Sequence, residues 1–260
     1  MNREVIDGLS VGRSEGPDET RIIYVHGILD RGATFLNVAR RIEGPSWLIY
    51  DRRGYGRSVT DIVPTFADHV SDLVGLIRSE SEFGPTVLVG HSLGGTIALS
   101  AACSTPDAVA AIIVHEPPAP WLEWWPIRDD RGRRIEDEEP ADAVARMMTR
   151  IAGPDVWDRL PEAVRSQRLA EGPIVVSELV GARQERNGDL SRLSMPVVVT
   201  RSASSTGHRE RAQAWFLDAL PDGRGHVFDE GGHNIQATNP RDVAAIVASV
   251  AEWVKDSSPS

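Results

Sequence analysis

One short segment places the strongest constraint on how this chain folds. Residues 90–95 read Gly-His-Ser-Leu-Gly-Gly, with an apolar run at 86–89 before them and small residues at 96–102 after them. This order predicts a strand, a sharp turn and a helix, with Ser92 at the apex of the turn. Glycine suits both ends of the turn because a side chain there would clash with the neighbouring backbone. The turn exposes the hydroxyl beside a helix N-terminus, so the pattern predicts that Ser92 is a nucleophile.

Length and composition are typical of one α/β domain with an insertion. The chain has 260 residues, of which 41% are hydrophobic and 25% charged, and this suffices for a full core. A formal net charge of −10 argues against a nucleic-acid partner. Cys103 is the single cysteine, which excludes an intramolecular disulfide and favours a reducing compartment. With no signal-like segment and no apolar run of membrane-spanning length, we expect a cytoplasmic protein without a membrane partner.

The apolar runs predict a parallel sheet. They are rich in β-branched residues and nearly continuous, as in strands covered on both faces. Helix-period segments alternate with them, and this predicts a doubly wound, mostly parallel α/β sheet. One such helix begins after Thr65, where Asp68 completes a capping box, and the last begins at Asn239-Pro240. The predicted strands are residues 21–26, 47–50, 86–89, 110–114, 196–200 and 226–228.

The alternation is interrupted between Glu116 and Met195. This stretch has no convincing strand and three helical segments, the clearest at residues 140–151. Ligands of open α/β sheets bind at the carboxyl ends of the strands. We therefore predict a core made of residues 1–116 and 192–260, with residues 117–191 as a helical cap insertion over that edge.

Four motifs, in this order, resemble those of the α/β-hydrolase superfamily. They are His26-Gly27 after a strand, the D-x-R-G-x-G-x-S loop at 51–58, the Gly-x-Ser-x-Gly turn at 90–94, and Gly231-Gly232-His233 after the last strand. The resemblance covers nearly the whole chain. It implies the α/β-hydrolase fold with a helical cap and a serine hydrolase that needs no cofactor.

The resemblance also implies roles for individual residues. His233 becomes the general base for Ser92, since histidine with an ordinary pKa of about 6.5 accepts and returns a proton near neutral pH. The backbone N–H groups of Leu93 and Ile28 become the oxyanion hole. No His, Cys, Asp or Glu cluster has metal-ligand spacing, so the sequence predicts no metal site.

The acidic partner of the histidine departs from the commonest pattern of the family. Members usually have an aspartate after the strand that follows the cap, but residues 200–206 contain no carboxylate. We predict that Glu116, at the end of the strand next to the nucleophile strand, takes this role. The order Ser-Glu-His is similar to that of fungal lactonases that open macrocyclic resorcylic lactones. Asp229, Glu230 or a dyad without an acid are the alternatives.

These residues predict hydrolysis of a carboxylic ester or lactone through an acyl-enzyme. Because Trp121, Trp124 and Trp125 follow Glu116 closely, we expect a small-molecule substrate that is moderately large and apolar or aromatic, with Asp30 contacting a polar group. The charged run 128–139 is predicted to be a solvated loop. The alternatives are a non-hydrolytic or C–C bond-cleaving enzyme on the same fold, and a ligand-binding member with weak catalysis. The sequence does not predict an oligomeric state.

Overall fold

A single eight-stranded sheet organises the protein. The computed structural model describes residues 3–128, 132–185 and 188–257. The strand order across the sheet is β1-β2-β4-β3-β5-β6-β7-β8, and all strands from β4 to β8 in this order run parallel. The predicted fold class is therefore confirmed. The strands are β1 Arg3–Ile6, β2 Leu9–Ser14, β3 Asp18–Val25, β4 Pro45–Tyr50, β5 Thr86–His91, β6 Ala111–His115, β7 Val197–Ser202 and β8 Gly223–Phe228.

Two strands were not predicted, and they form a hairpin at one edge of the sheet. β1 pairs antiparallel with β2, which in turn pairs antiparallel with β4. Asp7 and Gly8, between the two strands, have φ of 49° and 83°, as a tight hairpin turn requires. The Asp-Gly pair was the available signal, but the half-exposed and polar β1 lacks the apolar run that marks the other strands.

Helices cover both faces of the sheet. On one face, α2, α3 and α8 pack over a core that includes Leu73, Ile97 and Phe216; on the other, α1 and α10 pack over a core that includes Val38 and Val247. The predicted capping box of α2 is present, with Thr65 and Asp68 bonded reciprocally. The helices are α1 Leu36–Ala39, α2 Phe66–Ser81, α3 Leu93–Ser104, α4 Pro140–Ala152, α5 Pro154–Arg159, α6 Glu162–Ala170, α7 Gly172–Glu185, α8 His208–Ala219, α9 Ile235–Thr238 and α10 Pro240–Ser257.

The described chain between β6 and β7 begins as irregular loop and is mainly helical from α4 to α7. Four α-helices, α4 to α7, lie here, one more than the sequence predicted, because the chain breaks at Leu160-Pro161 between α5 and α6. Val144, Met147 and Val175 pack on Leu29, in the loop after β3. This contact places α4 and α7 against the loop at the carboxyl end of β3; the described residues from α4 to α7 are hereafter called the helical segment.

In the part of the chain that the structure covers, no helix combines the length and the apolarity needed to cross a lipid bilayer.

Candidate active site

The turn between β5 and α3 presents Ser92 in a strained conformation. Ser92 has φ 52° and ψ −127°, a region that non-glycine residues rarely occupy. The flanking glycines are required by close backbone approach. A Cβ on Gly90 would lie 2.5 Å from the Cα of Gly95, and a Cβ on Gly94 would lie 2.3 Å from the carbonyl oxygen of Val25. The turn predicted from the sequence is therefore present.

Folding brings three distant side chains into contact above the sheet. The Nε2 atom of His233 lies 3.1 Å from the Ser92 hydroxyl oxygen. The Nδ1 atom of the same ring lies 2.7 Å from Oε2 of Glu116. Because an ionised carboxylate can only accept, Nδ1 carries the proton, which leaves Nε2 free to accept from the serine. This tautomer is the one a general base needs.

The end of β7 and the loop after it have no carboxylate at residues 200–206. This part of the chain instead supplies hydrogen-bond donors to Glu116. The Ser202 backbone N–H donates to Oε1 over 3.1 Å, the Ser205 side chain adds a hydrogen bond, and the Nε atom of Arg209 lies 3.2 Å from Oε2. Burial acts to raise the pKa of Glu116. The hydrogen bonds from His233 and Ser205, together with the charge of His115, outweigh burial and hold this pKa well below its ordinary value. Glu116 is therefore a carboxylate at all physiological pH values.

The backbone of Glu116 is strained at this position. Glu116 has φ 47°, one of four positive values among the described non-glycine residues. Its backbone N–H donates to the Thr200 carbonyl over 2.9 Å, so the chain stays joined to β7 while the side chain turns toward His233. Strain of this kind persists only where the surroundings hold it, and it is concentrated at functional sites.

A second histidine positions the backbone of His233. Nε2 of His91 donates to the His233 carbonyl over 2.7 Å, and Nδ1 of His91 accepts from the Gln236 amide over 3.2 Å. Burial and the nearby rings of His233 and His115 lower the pKa of His91 well below its ordinary value. His91 is therefore neutral and holds the loop without taking part in proton exchange.

The loop after β3 lies directly against the serine. A Cβ on Gly27 would come within 3.1 Å of the Ser92 Cβ, so glycine permits the contact. The fully buried guanidinium of Arg52 donates to the carbonyls of His26 and Gly27 over 3.0 and 3.1 Å. The same guanidinium pairs with Glu178 of α7 over 2.6 Å. One buried charge pair therefore joins the helical segment to this loop.

A cavity of about 420 Å³ opens at the serine. Ser92, His233 and Glu116 line it, together with Ile28 and Leu93, the two residues whose N–H groups were expected to face the substrate. Leu93 is the first residue of α3, where N–H groups have no acceptor within the helix.

The side chains expected to contact substrate occupy different places. Trp125 lines the cavity and packs against the ring of His208. Trp121 instead packs against Trp215 and Phe216, and Trp124 lies under the guanidinium of Arg211. The Asp30 carboxylate accepts from the N–H of residue 31, the Thr34 hydroxyl and the Gln236 amide. Of these four side chains, Trp125 is the one that lines the cavity as the described residues define it.

Sequence reasoning missed a set of arginines on the cavity wall. The run 128–139, which was predicted to be a solvated loop, contributes Arg128 and Arg133 to the cavity wall; residues 129–131 of this run lie outside the described residues. Four more arginines come from α4, α7 and α8. Because these helices are separate in the chain, no local sequence pattern indicates that their arginines meet at one cavity. The six are Arg128, Arg133, Arg146, Arg150, Arg183 and Arg209.

Across the described ranges, no group of three or more His, Cys, Asp and Glu side chains is arranged to hold a metal ion.

Comparison with known proteins identifies the family. The model of the alpha/beta hydrolase family matches residues 22–246, and the chain belongs to this family of enzymes. It is 27% identical to the lipase LipV of Mycobacterium tuberculosis, over 94% of this chain and 98% of the relative. It is 26% identical to 2-succinyl-6-hydroxy-2,4-cyclohexadiene-1-carboxylate synthase of Salmonella agona, over 92% of this chain and 95% of the relative. Among solved structures, the esterase EaEST of Exiguobacterium antarcticum aligns with a TM-score of 0.70 at 16% identity, over 96% of this chain and 98% of that one.

Proposed function

We propose that the protein is a serine hydrolase that cleaves a carboxylic ester, linear or cyclic, through an acyl-enzyme. The observation that carries the proposal is the pair of contacts from His233, 3.1 Å to the Ser92 hydroxyl and 2.7 Å to the Glu116 carboxylate. The similarity to a lipase over nearly the full length of both chains supports ester chemistry.

In the first half-reaction, the Ser92 oxygen attacks the ester carbonyl carbon while Nε2 of His233 accepts the hydroxyl proton. The carbonyl oxygen gains negative charge, and the N–H groups of Leu93 and Ile28 donate to it. Preorganised donors of this kind contribute about 3 kcal/mol each to the transition state. Glu116 stabilises the imidazolium. His233 then protonates the departing alkoxide, which leaves the acyl group on Ser92.

In the second half-reaction, His233 takes a proton from water as the water oxygen attacks the acyl carbon. The Ser92 oxygen leaves and regains a proton from His233, and the carboxylic acid is released. A lactone follows the same route, except that the alcohol stays covalently attached to the acyl group throughout, so the single product is a hydroxy acid.

The test is turnover of 4-nitrophenyl butyrate together with labelling by a fluorophosphonate. We expect Ser92→Ala to lower kcat by about 10⁴-fold or more and to abolish labelling, because the nucleophile is lost. Ser166→Ala, at an exposed serine on α6, is the matched control and retains both. Turnover that survives Ser92→Ala would exclude the acyl-enzyme.

A second candidate is non-hydrolytic chemistry at the same three side chains. The observation that favours it is the similarity to a synthase over most of both chains. There His233 and Ser92 would serve proton transfer without an acyl intermediate. A protein that turns over its substrate while a fluorophosphonate fails to label Ser92 would support this candidate over ester hydrolysis.

A further inference from the structure

The cavity wall is strongly cationic in an acidic protein. Six arginines line it, and Glu116 is the one acidic residue among the described lining residues. The whole chain has a formal net charge of −10, so this concentration of positive charge is local. A cleft lined by one sign of charge focuses its field and attracts ligands of the opposite sign.

Several of these guanidinium groups already have acidic partners. Arg146 pairs with Glu138 over 2.8 Å and Arg183 with Glu136 over 2.5 Å. Arg209 shares the Glu116 carboxylate over 3.2 Å. These pairs hold the arginines in place at the cavity wall and neutralise only part of their charge.

Arg150 differs from these arginines in its lack of an acidic partner among the described residues. It lies in the last turn of α4, and no acidic side chain within residues 3–128, 132–185 and 188–257 pairs with it. Its electrostatic neighbours are Arg146 and Arg209, whose positive charges act with partial burial to lower its pKa. An unpaired guanidinium beside two others is stabilised by an incoming anion, and its planar fork binds carboxylate or phosphate through two hydrogen bonds.

We propose that the substrate of this site carries an anionic group, a carboxylate or a phosphate, and that Arg150 binds it while the ester carbonyl lies at Ser92. The proposal rests on the serine hydrolase function proposed above and narrows its substrate class. Ile127, Met147, Ile151 and Leu179 line the same cavity and give it apolar wall beside the arginines' charge. The proposed substrate therefore combines an apolar body with the ester and the anion.

The first experiment compares esters that differ in charge but match in length. Mono-4-nitrophenyl adipate and 4-nitrophenyl hexanoate test an anion on the acyl side; 4-acetoxybenzoate and the neutral 4-acetoxybenzamide test one on the leaving group. For the preferred pair we expect kcat/KM to be about tenfold or more higher for the anionic ester. Rising ionic strength reduces this preference, because salt screens the attraction. Equal values within both pairs would refute a carboxylate-bearing substrate.

The second experiment assigns the preference to Arg150. In Arg150→Met, the ratio of kcat/KM for the anionic ester to that for the neutral ester falls by about tenfold or more. Arg159→Met removes an equally long cation from α5, where the side chain is 81% exposed and outside the cavity wall; it leaves the ratio unchanged. A ratio that is the same in Arg150→Met and wild type would refute the role of Arg150.

A binding measurement separates this proposal from the proposed function. Adipate and inorganic phosphate are titrated separately by calorimetry into wild type and Arg150→Met. Adipate binding that is lost in Arg150→Met supports an anion site for carboxylates, and phosphate binding that is lost supports one for phosphates, even if no ester is hydrolysed. If neither anion binds wild type, the anion site is refuted, while hydrolysis of the neutral esters by Ser92 still stands.

Discussion

The carboxylate of Glu116 reaches Nδ1 of His233 over 2.7 Å from the strand adjacent to the nucleophile strand. Glu116 directly follows β6. Ser202, the last residue of the neighbouring strand β7, and Ser205 in the loop after it hydrogen-bond to the Glu116 carboxylate. Parallel strands end at the same edge of the sheet, so an acid after β6 can reach the histidine although residues 200–206 contain no carboxylate.

Replacement of the acid tests its role in the proposed mechanism. In Glu116→Gln, the amide can donate to Nδ1 of His233, which favours the tautomer with the proton on Nε2, the wrong one for a base. We expect kcat for 4-nitrophenyl butyrate to fall by about 10³- to 10⁴-fold. Asp229→Asn, at an exposed acid on the loop after β8, is the control and keeps kcat within about twofold. A large loss in Asp229→Asn with activity retained in Glu116→Gln would reverse the assignment.

The loop that carries His233 depends on His91. His91→Leu removes the donor to the His233 carbonyl and leaves that carbonyl without its 2.7 Å partner. We expect kcat to fall about tenfold or more with KM little changed, because the base is misplaced while the cavity remains. Steady-state kinetics measures this split. His226→Leu, at a histidine on β8 whose ring packs on Phe228, is the control; an equal effect there would indicate general loosening of the fold.

The buried pair of Arg52 and Glu178 joins α7 to the core. Both side chains are fully buried, and Tyr55 adds a hydrogen bond to Glu178. Glu178→Gln leaves the guanidinium without its counter-charge, so we expect the free energy of unfolding to fall by about 3–5 kcal/mol, measured by urea denaturation. The double variant Arg52→Met/Glu178→Leu removes both charges and recovers part of the loss. Unchanged stability in Glu178→Gln would show that the pair has no net effect.

The same pair makes stability dependent on acid pH. Burial acts to raise the pKa of Glu178, but the charge of Arg52 and the contact with His69 outweigh it and lower this pKa from 4.5 to about 2. Because the folded value lies below the unfolded one, the stabilisation is complete above about pH 4.5 and is lost as pH falls toward about 2. We expect the Tm of Glu178→Gln to depend less steeply on pH in this window than that of wild type. Equal slopes would contradict the shifted pKa.

The sequence alone predicted the structural features that a short stretch of residues encodes. The turn at Ser92 lies between a strand and a helix that directly adjoin it, so its glycines and apolar runs define it without reference to the rest of the chain. Five of the six predicted strands were recognisable for the same reason, since a strand buried on both faces is mostly apolar. The sixth, β8, is a largely uncovered edge strand, and the sequence predicted only its last three residues. The Gly-Gly pair before His233 marked its loop in a similar way.

Only the tertiary structure decided what surrounds those residues. The arginines of the cavity come from α4, α7, α8 and the loop before α4, and no short window of sequence holds more than a few of them. Trp121 and Trp124 follow Glu116 as closely as Trp125 does, yet they pack on Phe216 and under Arg211. The order of residues in a short stretch determines the backbone conformation of a turn, strand or helix, because that conformation depends on interactions between residues close in the chain. The character of the cavity depends on packing between elements far apart in the chain.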